Sequence, residues 1–290
     1  MKTIKSNINH DLFLKKVNIY LLIVLFLMIG CFFTWSENII ITRTIKVIGR
    51  MGVLLASYFV YRNIINYGAI DSLKRKNPLS LILYLGYLAL GFASFLWTTN
   101  IMVSALQWFM TTQTLVFCFF VVKSLYLLDE YFKNHSIRLY NLLGNAIFGL
   151  ILIFVIGMWL APELFFRTTH GGEESRLGGY LMNPNELGML TAVGISGFIF
   201  DMYRKHHSVW TVIKLLILFY ALYATGSRSS LIGAFLIICF HIKQSSNIKL
   251  KLIVVIGMLL IMPVAVNKII LKDGNSDRLE EVMSMTGRLP

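Results

Sequence analysis

Charge is what this sequence has least of. Only 14% of its 290 residues are charged, against 57% apolar, whereas an ordinary soluble domain carries about a quarter charged residues. Acids are scarcer still, 14 against 27 Lys and Arg, and three cysteines and five prolines complete the short supply. The cysteines, Cys31, Cys118 and Cys239, lie in apolar segments without paired spacing, which excludes a disulfide framework or a thiolate metal site and predicts buried bystanders. No cluster of metal-ligating side chains and no cofactor motif stands out, so no metal and no cofactor is expected. The basic excess forms no stripe with interleaved aromatics, so it does not indicate nucleic acid.

What the sequence has is apolar runs of helix length. They fall near 17–35, 47–61, 79–97, 106–128, 140–161, 187–203, 209–225, 229–242 and 252–270, bounded by charge. Unpaired backbone is so costly in hydrocarbon that such runs must be helices, and they lack the alternation of barrel strands. The fold class is therefore all-α: a polytopic transmembrane helical bundle of about nine spans. The first run, after Lys15 and Lys16, lacks a cleavage site and reads as a retained anchor. Alternating the loops from a cytoplasmic amino terminus puts 17 of the 27 basic residues inside with five of the 14 acids, the asymmetry of the positive-inside rule. Residues 1–290 then form one membrane domain, with a helical part at 1–161 and a second part at 162–290 that opens on a long outer loop, 162–186. Trp35, Trp97, Trp159 and Trp210 near span ends fit an interfacial belt, and Arg50 near the outer end of the second span fits a snorkelling side chain.

Two outer segments carry chemistry. The turn Thr225-Gly226-Ser227-Arg228-Ser229-Ser230 joins two spans too short to cross fully. Roughly 30 helical residues reach about 45 Å, where two crossings need about 60 Å. That predicts a guanidinium held below the outer surface, where a lone charge costs about 2.5–3.5 kcal/mol. An anion would relieve it: Gly226 closes the incoming helix, Ser227 and Ser229 offer hydroxyls, and the outgoing helix points its positive end outward. The competing reading is that Arg228 snorkels and Gly-Ser merely turns the chain. The second segment is Arg176-Leu-Gly-Gly-Tyr-Leu-Met-Asn183-Pro-Asn185-Glu186. Asn183 as cap, Pro184 at the first helical position and Glu186 three residues on make a helix start without any function. Its amino end also faces outward, so Arg176 and Arg228 could converge on one anion. His170, beside Gly171 and Gly172, is a lone loop histidine, and Glu173 and Glu174 lack the geometry of paired catalytic carboxylates.

These motifs, in this order on one side of the membrane and followed by Thr286-Gly-Arg288, resemble the O-antigen ligase and polymerase superfamily. The likeness runs over about residues 176–288, and the first five spans share only its general character. It implies a membrane glycosyltransferase at the outer face of the bacterial inner membrane that uses no nucleotide sugar. Such enzymes move a glycan from an undecaprenyl-pyrophosphate carrier to an acceptor hydroxyl, on lipid A–core or on a growing polysaccharide. Arg176, Arg228 and Arg288 are then the expected substrate-binding arginines, with Asn183, Asn185, Ser227 and Ser229 around them. The first two arginines would neutralise the leaving pyrophosphate without a metal. The catalytic histidine of the family follows the Gly-Arg motif in a segment beyond Pro290, so no residue here is expected to be the base, and His170, which precedes the motif, is not one. Two other readings use the same features: a flippase for an anionic lipid-linked glycan, and a noncatalytic scaffold.

Overall fold

The computed structural model describes residues 2–34, 36, 38–68, 79–132, 137–169, 174–204 and 209–244, and these residues are about 86% helical. Its helices are α1 (Lys2–Gly30), α2 (Ile39–Thr44), α3 (Arg50–Gly68), α4 (Leu79–Ala93), α5 (Ile101–Glu130), α6 (Leu139–Leu160), the single turn α7 (Pro162–Phe165), α8 (Pro184–Arg204), α9 (Val209–Thr225) and α10 (Arg228–Gln244). A π-helical turn, Ile45–Gly49, joins α2 to α3. Two short strands, β1 (Phe166–Thr169) and β2 (Glu174–Leu177), precede α8.

Among the described residues, four stretches are long and apolar enough to cross a membrane: His10–Gly30, Ile41–Gly68, Ile101–Glu130 and Leu139–Leu160. They match the expected spans at 17–35, 47–61, 106–128 and 140–161 and mark a membrane protein. Leu81–Leu96, Val209–Thr225 and Arg228–His241 are apolar but shorter. The expected span at 252–270 lies outside the described residues. Large apolar side chains such as Leu90, Trp97, Trp159 and Trp210 stand exposed around the bundle, a surface suited to lipid. Several polar side chains within the long helices are satisfied locally. On α5 the hydroxyls of Thr111, Thr112 and Thr114 donate to carbonyls one turn back, and Asn100 caps the helix by accepting from the Val103 N–H at 3.2 Å.

The buried residues form two clusters. One gathers Val17, Leu21 and Leu25 of α1, Val60 and Ile64 of α3, and Phe117 and Val121 of α5. The other joins Ile147, Leu150 and Phe154 of α6 to Leu187 and Ile195 of α8 and to Leu218 and Leu222 of α9. Helices α6 and α8 form the most extensive pair, and they meet glycine to glycine. A β-carbon on Gly197 would lie 2.6 Å from the Tyr140 carbonyl oxygen and 3.1 Å from the Gly144 α-carbon. Close backbone approach of this kind drives helix association where lipid removes the hydrophobic incentive.

One expectation changes here. The cysteines are all free, but only Cys31 is buried; Cys118 is exposed and Cys239 intermediate. Lys214, within α9, turns into the bundle. Its Nζ donates to Asn145 Oδ1 at 2.6 Å and lies 5.6 and 5.3 Å from the ring centres of Phe148 and Phe198. A carbonyl and two aromatic faces stand in for headgroup water.

Candidate functional site

The outer segment read as a loop contains a hairpin. β1 and β2 pair antiparallel, with Phe166 opposite Leu177 and Arg167 opposite Arg176. The Thr168-Thr169 pair and the Gly171-Gly172 that follows are its sequence signal, weak because each strand is only four residues. Leu177 is fully buried against the second cluster, and strand alternation turns Arg176 the other way. The pairing continues through Gly178 N–H to the Phe165 carbonyl (2.9 Å) and Tyr180 N–H to the Leu164 carbonyl (3.1 Å). Gly179, at φ 55° with Leu164 and Phe165 backbone against it, has no room for a side chain. The Leu181 carbonyl then accepts from the Thr34 N–H at 2.7 Å, fastening the segment to the end of α1.

Held this way, Arg176 spans two other elements. Its Nε donates to the Thr225 carbonyl at 2.9 Å and its Nη2 to Asn185 Oδ1 at 2.9 Å. One guanidinium thus ties the hairpin, the first turn of α8 and the end of α9 together. Asn183 caps α8 as expected, accepting from the Asn185 N–H at 2.9 Å, and Pro184 takes the first helical position.

The turn between α9 and α10 packs against α8. Gly226 adopts φ 61°, ending α9, and Ser227 occupies the capping position of α10, where its carbonyl accepts from the Leu231 N–H at 3.0 Å. Its hydroxyl is not offered outward. Ser227 is fully buried, and its Oγ lies 2.7 Å from Ser230 Oγ, because α8 closes over it at Gly188. A β-carbon there would meet Ser227 Cβ at 2.7 Å, Ser230 Oγ at 2.9 Å and Thr225 Oγ1 at 3.0 Å. Arg228 and Ser229 are exposed on the first turn of α10. The helices flanking the turn have 17 residues each, about 25 Å of rise against a hydrocarbon core of about 30 Å.

The structure therefore brings Arg176, Asn183, Asn185 and Ser227 to one junction, with Arg228 and Ser229 on its exposed side. Arg288 and His170 lie outside the described residues. Thr225, Gly188 and Ser230 are parts of the junction that sequence reasoning passed over, although all three lie within or next to the quoted motifs. The region can present an anion with a guanidinium and the N–H groups at the start of a 17-residue helix. No family model matches this chain, and no similar protein was found among curated proteins or solved structures.

The junction makes a direct prediction. Arg176→Ala removes two charge-assisted bonds and is expected to cost about 1.5–3 kcal/mol, read as a lower unfolding midpoint in detergent. Arg176→Lys, a point charge in place of a fork, is expected to recover less than half of that loss. Full recovery by lysine would contradict a forked contact.

Proposed function

We propose that this chain is a membrane glycosyltransferase of the O-antigen ligase and polymerase kind, acting at the outer face of the bacterial inner membrane. Its substrates are an undecaprenyl-pyrophosphate-linked glycan and an acceptor hydroxyl on lipid A–core or on a growing polysaccharide. The chain crosses the membrane about nine times from a cytoplasmic amino terminus, a count resting on hydropathy and charge. The observation that carries the reading is the junction itself: the Arg176 motif, the Asn183–Asn185 helix start and the Thr225–Ser230 turn are remote in sequence, yet are bonded together beside the exposed Arg228.

In this reaction the acceptor oxygen attacks the anomeric carbon, the bond from that carbon to the carrier's phosphate oxygen breaks, and undecaprenyl pyrophosphate departs with the bonding electrons. The acceptor proton passes to a general base, a role that the resemblance gives to none of the residues named here. Arg228 and the amino end of α10 meet the charge that grows on the departing oxygen, so their help is greatest in the transition state. Arg176 holds the turn that presents Arg228, and Arg288 is the third arginine of the set.

The test is reconstitution of the chain in liposomes with lipid-linked glycan and acceptor. Release of undecaprenyl pyrophosphate together with an enlarged acceptor is expected. Movement of intact donor across the bilayer without that release would replace the reading with a flippase, and neither event would leave a scaffold.

A further inference from the structure

Arg50, expected to snorkel, is packed inside the protein. It lies nine residues into the stretch Ile41–Gly68, about 13 Å along the axis, and is only 6% exposed. Its guanidinium carbon sits 4.0 Å from the centre of the Phe32 ring, and its Nε is buried without a hydrogen-bond partner. Among the described residues no carboxylate is paired with it. Desolvating an ion costs several kcal/mol, and one ring face returns about 2 kcal/mol. The deficit calls for an anion.

The surroundings say which kind. Arg50 follows the π-helical turn Ile45–Gly49, a feature frequent at functional sites. Gln113 of α5, 3% exposed, donates from Nε2 to the Val47 carbonyl at 3.2 Å and ties that turn to α5. Lys46 is half-buried and lies within electrostatic reach of Arg50 and of the Glu186 carboxylate at the start of α8. The Phe32 ring over the guanidinium is itself exposed. A buried cation under an exposed aromatic ring, in a chain with membrane-length helices, suits a molecule that has both an anionic head and acyl chains.

We propose that Arg50, with Lys46, binds the phosphate of an anionic phospholipid, whose acyl chains lie against the exposed Phe32 ring. The site needs only the membrane setting, and glycan transfer is not a premise of it.

The experiment uses the purified, delipidated chain in an uncharged detergent, with native mass spectrometry of bound adducts. Three probes are compared at equal concentration: phosphatidylglycerol, diacylglycerol with the same acyl chains, and inorganic phosphate. Phosphatidylglycerol alone is expected to bind. Arg50→Met is expected to weaken it roughly tenfold to a hundredfold and Lys46→Gln roughly fivefold, while Arg43→Gln at an exposed position of the same segment leaves it unchanged. Equal binding of diacylglycerol would show that acyl chains alone suffice, and saturation by inorganic phosphate would show a free-anion site; either overturns the proposal. So does wild-type affinity in Lys46→Gln, a half-buried position whose change tests the site even where Arg50→Met fails to fold. Loss of glycan transfer with phosphatidylglycerol binding intact would sink the glycosyltransferase reading and leave this one standing.

Discussion

Arg228→Ala is expected to lower the rate of glycan transfer about 10²- to 10³-fold, the usual effect of removing one donor aimed at developing charge. The unfolding midpoint should barely move, because Arg228 is exposed and exposed substitutions usually change stability by less than about 0.5 kcal/mol. The separation of these two effects is the informative part. A residue that merely snorkelled would change neither rate nor fold, and one that held the junction together would change both. Arg228→Lys should fall between, since an ammonium supplies the charge but not the paired donors that match a phosphate. The measurement is the initial rate of undecaprenyl pyrophosphate release from liposomes, beside thermal unfolding of the same preparations. An alanine variant that transfers at the wild-type rate would remove Arg228 from the mechanism.

Gly188→Leu should have the other large effect, on fold and activity together. Replacing a helical glycine ordinarily helps, by up to about 1 kcal/mol for alanine. Here even the first added carbon would meet three atoms within 3.0 Å, Ser227 Cβ, Ser230 Oγ and Thr225 Oγ1. None can swing aside cheaply: the two serine hydroxyls bond each other, and the Thr225 hydroxyl donates to the Leu222 carbonyl at 2.7 Å. Overpacking should therefore outweigh the propensity gain and cost about 1–3 kcal/mol net for leucine, with alanine milder but of the same sign. Because α8 carries Asn185, pushing it away also withdraws an acceptor of Arg176, so transfer should fall with stability. Thermal midpoints of the alanine and leucine variants check this. A midpoint raised by alanine would mean that α8 and the turn are not in close contact.

Arg50 shows why reading the helices came more easily than reading the site. Its place in an apolar run was plain, and an arginine near a span end ordinarily reaches headgroups. What keeps it inside is the Phe32 ring from the end of α1 and the π-helical turn before it, and no spacing in the second span encodes either. Ser227 failed to match expectation for a similar reason. A serine in a Gly-Ser turn looks available, yet α8, whose glycine lies 39 positions earlier in the sequence, covers it. The hairpin at Phe166–Leu177 was missed because two four-residue strands carry too few side chains for a period-two pattern to stand out.

The sequence by itself determined the solvent and the local geometry. Apolar runs of membrane length must be helices because lipid offers the backbone no partners, and the start of α8 at Asn183-Pro184 and the end of α9 at Gly226 follow from capping and left-handed φ, both acting within a few residues. Tertiary structure decided the rest. Arg176 reaches a carbonyl 49 residues away, Lys214 an amide 69 away and Gln113 a carbonyl 66 away. Such contacts depend on which helix faces pack together, through glycine pairs such as Gly144 and Gly197, and one sequence states the faces without stating their partners.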